Sequence, residues 1–388
     1  MRRGQTDYAR ARLALFLAGF ATFSLLWCTQ PLLPVFASHF GLSAPTSALA
    51  QSMTAGAIAG ASMVAAALSH LFTRRRLMFT VMLVASLLNL AVAFAPSWST
   101  LLFARFLQGA ALGGVPVVAM AYLAEEMDDR DLPRAIGLYV AGTAFGAMMG
   151  RVAVGVIADL LDWRGAMAVV GVIDVAAAIG FLLLLPASRN FTPSRGFDMG
   201  SHVAHWRDQF RSPALCRLFA VGFVLTSVFV VPFNYAGFRL SRPPYDLGQA
   251  ASSLIFLTYV FGIASSAQIG RLIVRIGPKR ALAASIAVMT SGMVISLAEP
   301  LWAFILGIIL VTMGFFASHA IASGEVGRQA GPAKAHAASL YLLFYYAGVT
   351  LTGWGAGWFW EHSGWLGLTV VTGIIGVTGV VLALGGSD

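Results

Sequence analysis

The sequence predicts an all-α membrane protein of twelve transmembrane helices in two six-helix halves, and three observations carry that prediction. The 388 residues are 58% hydrophobic and only 11% charged, with a mean hydropathy of +0.80, far from the usage of soluble domains. The apolar runs are about 20 residues long, the length a helix needs to cross a bilayer. Unpaired backbone groups are too costly in hydrocarbon for anything but helices or closed barrels, and runs of this length select helices. The third observation is a repeat. Residues 137–165, GLYVAGTAFGAMMGRVAVGVIADLLDWRG, align after a shift of 202 with residues 339–367, SLYLLFYYAGVTLTGWGAGWFWEHSGWLG. Leu138, Tyr139, Gly146, Gly155, Asp159, Trp163 and Gly165 then meet Leu340, Tyr341, Gly348, Gly357, Glu361, Trp365 and Gly367. That pattern argues for a duplicated half.

Taken in order, spans at 13–36, 48–72, 77–95, 100–123, 135–158 and 165–185 make an N-terminal half, residues 1–185. A polar linker, 186–217, precedes spans at 218–239, 249–273, 281–298, 301–324, 337–359 and 366–384, the C-terminal half of residues 218–388. The first run follows Arg2, Arg3, Arg10 and Arg12 like a signal peptide. It is too long for one, however, and Thr29 to Pro34 offers no small-residue cleavage site, so it stays a span. An even number of spans places both termini on one side. That side carries 20 Lys and Arg against three, Arg164, Arg239 and Arg242, on the other, so the positive-inside rule puts both termini in the cytoplasm. The net charge of +9 follows from this bias and suggests anionic lipid, not nucleic acid.

Within the linker, Gly200 to Phe210 reads as a short surface helix with Val203, Trp206 and Phe210 on one side, toward the membrane interface. His202 and His205 have a spacing that suits a metal on a helix, but no Cys or carboxylate cluster completes a site, and no metal is expected. Cys28 and Cys216 suggest no disulfide framework.

Span 5 has two faces. Gly142, Gly146 and Gly150 share one, suited to pressing backbone against a neighbour, as Gly348 is in the second copy. Arg151, Gly155 and Asp159 share the other, which carries charge inward. Arg105 in span 4 shares a face with Gln108, Gly109, Leu112 and Pro116. A cation inside a span marks a pathway or a buried partner, although Arg105 is close enough to the outer end to snorkel. Arg151 is too far from Asp159 for a direct pair, which leaves a substrate anion, a carbonyl or Asp174 as its partner. Asp174, in span 6, is either a proton carrier or a carboxyl satisfied by a neighbouring helix. His319 lies well inside span 10 and suits titration near neutral pH. Trp27 and Gln30 in span 1, Gln108 in span 4, Asn234 and Tyr235 in span 7, Tyr259 in span 8, and Phe344 and Tyr345 in span 11 are candidates to line a substrate cavity or simply to pack.

Six spans, a linker, six spans and an internal repeat resemble the secondary transporters of the major facilitator superfamily. The segment GRLIVRIGPKRAL, with Gly270, Arg275, Gly277, Lys279 and Arg280, is similar to that family's loop signature. The matching loop, ALSHLFTRRRLM, keeps Arg74, Arg75 and Arg76 but has His70 and Thr73 where the family has Asp and Gly. The resemblance implies a gating latch at both loops. Arg105 with Gln108, Gly109, Gly113 and Pro116 resembles the motif of proton-coupled efflux members, which implies a coupling role for Arg105. The span 5 glycines match the antiporter motif in part, with Ala147 in place of Pro and Arg151 in place of Gly. The segment from Glu125 to Tyr139 resembles the arabinose-efflux-permease-like branch. His319 to Glu325 with Ser339 to Tyr341 resembles inner-membrane efflux transporters of the YnfM type.

The resemblance implies a multi-pass transporter of the bacterial inner membrane. It would export a small organic molecule by alternating access in exchange for protons, as a monomer in the lipid bilayer, without cofactor or metal. The excess of interior cation over acid tilts the substrate toward neutral or anionic species. A facilitator or importer on the same scaffold, or a non-transporting sensor, is the alternative. No G-x-x-x-x-G-K-[ST], H-E-x-x-H or G-x-S-x-G occurs, so neither ATP use nor an enzyme is expected.

Overall fold

The computed structural model describes residues 1, 5–68, 73–190 and 199–385. The described chain is all-α. Its helices are α1 (Thr6–Trp27), α2 (Leu33–Phe40), α3 (Ala44–Leu68), α4 (Arg74–Ala93), α5 (Trp98–Leu112), α6 (Gly114–Glu126), α7 (Leu132–Leu160) and α8 (Trp163–Leu184). They continue as α9 (Met199–Gln209), α10 (Pro213–Leu240), α11 (Gln249–Ser253), α12 (Tyr259–Ile276), α13 (Pro278–Ile295), α14 (Leu301–Gln329), α15 (Lys334–Gly355) and α16 (Gly357–Leu384).

Among the described residues, ten segments are long and apolar enough to cross a membrane. Two expected spans, α13 and α15, are helical and lie among the others without reaching that hydropathy. Lys279 and Arg280 open α13, and polar and aromatic side chains such as His336, Tyr341 and Tyr345 dilute α15. The span edges shift where glycine and proline interrupt. Span 1 is α1 and α2 joined by a 3-10 turn, Gln30–Leu32, because Pro31 and Pro34 lack the N–H groups a continuous helix needs. Span 4 is α5 and α6, meeting at Gly113. The last break falls at Ala356 rather than after Phe359, and α16 kinks at Gly364, whose φ of +56° suits glycine.

Two compact units are present: Met1–Leu32 with Met53–Asp198, and Leu33–Ser52 with Met199–Asp388. In the first, α1 and α7 close to backbone contact. A Cβ at Gly142 or Gly146 would collide with the carbonyl oxygen of Phe16 or Phe20, and one at Gly150 would lie 2.8 Å from the Ser24 Cα. Lipid offers no hydrophobic drive between helices, so such close packing is what holds them. In the second unit α10 and α15 meet in the same way: a Cβ at Gly348 would come within 2.5 Å of the Phe223 carbonyl oxygen. The repeat extends to its tryptophans. Trp163 lies under Arg164, which donates to the Ala95 carbonyl at 3.0 Å beyond the end of α4. Trp365 donates to the Ser296 Oγ at 2.8 Å at the end of α13, beside Arg239, which donates to the Ser296 carbonyl at 2.7 Å.

The linker helix α9 forms where expected, but its apolar side meets protein. Trp206 donates from Nε1 to the Ser339 Oγ at 3.0 Å, and Phe210 packs against Phe219 and Phe344 at 6.0 and 6.3 Å between ring centres. Trp206 is half-buried there, while Val203 and Phe210 keep 50% and 47% of their surface exposed. His70 and the side chain of His202 lie outside the described residues.

Candidate functional site

In the first unit the polar side chains converge on the broken end of α1. Because α1 stops at Trp27, the carbonyls of Leu25 and Leu26 lack the N–H donors that a continuing helix would supply. Arg105 supplies them. Its guanidinium donates to Leu25 and Leu26, each at 2.9 Å, and to the Gln108 Oε1, and the side chain is fully buried. It points into the bundle and does not snorkel. Gln108 in turn donates to the Ala85 carbonyl at 3.0 Å and to the Asn89 Oδ1 at 3.2 Å. Asn89 donates to the Met167 carbonyl at 2.8 Å and accepts from the Cys28 thiol at 3.5 Å, which ties α4 to α8 and α1. The order of effects is clear from magnitudes. An arginine at a span's centre costs about 3 kcal/mol on insertion scales, and hydrogen bonds to a charged group return roughly 1.5–3 kcal/mol each.

Arg151 joins Trp27 and Gln30. Its Nε donates to the Gln30 Oε1 at 2.7 Å, another nitrogen donates to the Ala147 carbonyl at 2.6 Å, and the guanidinium carbon stands 4.4 Å from the Trp27 ring centre. Of the partners offered by sequence, the backbone carbonyl is the one found, at Ala147, while Gln30 and Trp27 were not among them. Asp159, expected to share the interior face, is exposed, since α7 reaches its end one residue later. Asp174 is fully buried against α1. It accepts from the Ser24 Oγ at 3.2 Å, and its second carboxylate oxygen, Oδ1, has no hydrogen-bond donor among the described residues. Ser24 thus lies between Gly150 of α7 and Asp174 of α8.

In the second unit an aromatic chain crosses four helices. Tyr259 packs on Phe229 at 5.8 Å, Phe229 stacks on Phe315 at 3.8 Å, and Phe315 lies parallel to His319 at 5.9 Å. His319 also meets Tyr345 at 5.2 Å and shares a hydrogen bond of 2.9 Å with the Tyr341 hydroxyl. Phe344 does not belong to this chain. It stacks on Phe219 at 5.8 Å, on the side of α15 that meets the linker helix. Asn234 and Tyr235 are buried, and each donates to the Gly353 carbonyl at 3.2 Å, where α15 ends.

The two loops differ. Arg74 forms a two-pronged pair with Glu125, at 2.7 and 3.3 Å, and Arg75 donates to the Leu182 carbonyl at 2.6 Å. In the other loop Gly277 takes φ +80° between α12 and α13, Arg275 and Arg280 are exposed, Lys279 is half-buried, and Gly270 faces open space.

Sequence reasoning missed Ser24, Cys28 and Asn89. Asn89 had a signal, since an amide inside the apolar run of span 3 needs a partner. Ser24 and Cys28 had none, because small polar residues are common in spans.

An all-α bundle in which ten described segments are long and apolar enough to cross a membrane, with cations buried among them, defines a multi-pass membrane protein. Comparison with known proteins agrees. The model of the Major Facilitator Superfamily matches residues 15–267. The MFS-type transporter YybF of Bacillus subtilis (strain 168) is 42% identical over 372 residues, covering 95% of this chain and 91% of that protein. The inner membrane transport protein YnfM of Escherichia coli (strain K12) is 37% identical over 371 residues, covering 95% and 88%. Among solved structures, a bacterial homologue of the human lysosomal transporter Spinster, inward-facing and occupied, superposes with a TM-score of 0.82 at 14% identity, covering 98% of this chain and 97% of that one. The chain belongs to the Major Facilitator Superfamily.

Proposed function

We propose that this transporter exports a small organic molecule in exchange for protons, by alternating access, as a monomer in the bacterial inner membrane with both termini cytoplasmic. The observation that carries this reading is the buried polar set around α1: Arg105 on the Leu25 and Leu26 carbonyls, Arg151 on Gln30, and Asp174 on Ser24. Buried ionisable groups on facing helices are the parts from which proton relays and substrate sites are made in membranes. Asp174 and His319 are the proton carriers, Arg105 the coupling residue, and the Tyr259–His319–Tyr345 aromatic chain the substrate wall. The loop cations around Arg74 and Lys279 act in gating. Two cations against one acid within the first unit's interior favour a neutral or anionic substrate. Two more distant relatives support that tilt by name: a probable 4-methylmuconolactone transporter of Cupriavidus pinatubonensis, 29% identical over 202 residues, and a probable anion transporter of Arabidopsis thaliana, 26% identical over 196 residues.

The test is proton movement from lipid vesicles holding the purified protein under an imposed pH gradient, as sugars, organic acids and lipophilic drugs are added. Proton flux that depends on one of these compounds and opposes its movement supports antiport and names the class. Compound flux without proton flux points to a facilitator, and binding without any flux to a sensor.

A further inference from the structure

We infer that Tyr341 is a positioning residue for substrate: it fixes the tautomer and orientation of His319 so that Nε2–H is offered to the carboxylate of an aryl acid lying along the aromatic chain. This role rests on the proposal above that the chain of rings is the substrate wall, and not on proton exchange. The Tyr341 hydroxyl stands 2.9 Å from His319 Nδ1. Tyr341 is 2% exposed, and among the described residues its hydroxyl meets no other hydrogen-bond partner. A buried O–H needs an acceptor, so the hydroxyl hydrogen goes to Nδ1. The opposite arrangement, with Nδ1–H donating to the phenol oxygen, would bury that hydrogen unpaired. A neutral imidazole that accepts at Nδ1 carries its own hydrogen on Nε2.

Packing holds the two rings in that relation. Gly222 of α10 makes room for Tyr341, since a Cβ there would come within 2.8 Å of the ring's Cε2. His319 lies parallel to Phe315, 5.9 Å between ring centres and 7° between planes, with Tyr345 of α15 at 5.2 Å. His319 and Tyr345 are both half-buried, so this end of the chain of rings keeps an open edge. Among the described residues Nε2 has no hydrogen-bond partner, the Tyr341 bond being made at Nδ1. Ring faces attract a flat unsaturated body through their quadrupoles, and an N–H donor beside them suits an anionic oxygen and repels an ammonium. An aryl carboxylate meets both demands. An aliphatic acid meets only the second, and an aryl amine only the first.

Two measurements on the purified full chain in detergent, at about pH 8 where an unperturbed imidazole is neutral, test this. The first is nitrogen NMR of isotope-labelled histidine, in which the His319 signals are those of the seven histidines that His319→Gln removes. The parent should carry the His319 hydrogen on Nε2, and the Nδ1 signal should shift when Tyr341→Phe takes its donor away. The second is calorimetric titration with benzoate, cyclohexanecarboxylate and benzylamine, of which benzoate should bind most tightly. His319→Gln sets an amide N–H where Nε2 stood and should keep most of the benzoate affinity. His319→Asn reaches only as far as Nδ1 and should lose about tenfold, the worth of one hydrogen bond to a charged group. Tyr341→Phe should lose less than His319→Asn, and Trp302→Leu, 70% exposed at the start of α14, should bind as the parent does. If a His319 variant fails to fold, the tautomer in the parent and the two Tyr341→Phe readings decide alone. Neither measurement needs a proton gradient, so failure of antiport in vesicles leaves both readable, and their failure leaves antiport untouched. A hydrogen on Nδ1 in the parent, an Nδ1 signal indifferent to Tyr341→Phe, no benzoate binding, either other probe bound as tightly, equal affinity in His319→Gln and His319→Asn, or an equal loss in Trp302→Leu would each overturn the role given to Tyr341 and His319.

Discussion

The guanidinium of Arg105 donates to the Leu25 carbonyl at 2.9 Å across 80 residues of sequence, filling the place of a helical N–H that the break after Trp27 removes. One side chain thus finishes another helix. Arg105→Ala should leave the buried Leu26 carbonyl without its side-chain donor, at about 1–3 kcal/mol, and the Leu25 carbonyl with only the Cys28 thiol at 3.4 Å, while Arg105→Lys keeps the charge and part of the bonding. If coupling needs the charge, the alanine variant loses proton-driven flux and the lysine variant retains a fraction of it. Equal, undiminished flux in both would reduce Arg105 to a structural cap.

The α1–α7 seam makes a second prediction. Gly146→Leu should prevent exchange between inward-open and outward-open states, read by cysteine accessibility on both sides of the membrane, because a Cβ there already meets the Phe20 backbone. Gly137→Leu, on the same helix with open space at its Cβ, should behave as the parent does. Normal alternation in Gly146→Leu would show that the seam tolerates separation.

Arg74 and Glu125 should be coupled. Their two-pronged pair joins α4 to α6 with Arg74 7% and Glu125 28% exposed, so a double-mutant cycle through Arg74→Gln and Glu125→Gln should give an interaction of about 1–2 kcal/mol. Strictly additive losses would assign the pair no more than a surface contact's worth.

His319 supplies the pH-dependent expectation. If its ring titrates during transport, His319→Gln flattens the dependence of flux between about pH 5 and 8. Tyr341→Phe, which removes the hydroxyl 2.9 Å from Nδ1, should alter the same profile while leaving a measurable slope. A His319→Gln profile that follows the parent's would take His319 out of the proton path.

The contrast between what was legible and what was not follows particular residues. Helix type, span spacing and the small-residue seam were legible, because hydrophobic run length and glycine at helical spacing act locally. Gly146 and Gly348 were picked out from the repeat, and each lies against the backbone of a neighbouring helix. Arg105 and Arg151 were recognisable as expensive cations, yet their partners were not, since Leu25, Leu26 and the Ala147 carbonyl are backbone groups that carry no sequence signature. Phe344 and Tyr345 are adjacent and equally aromatic, and only the packing of α15 sends one toward Phe219 and the other toward His319.

The sequence by itself determined an all-α membrane chain, its repeat, and the identity of the residues too polar to lie in lipid unpaired. Hydrocarbon forces backbone bonds inside each helix and makes every buried charge conspicuous. The tertiary structure alone decided how those charges are met: Arg105 by a broken helix end, Arg151 by Gln30 and Trp27, and Asp174 by Ser24. Which groups face each other depends on helix rotation and crossing, and these are fixed by glycine contacts between helices distant in sequence.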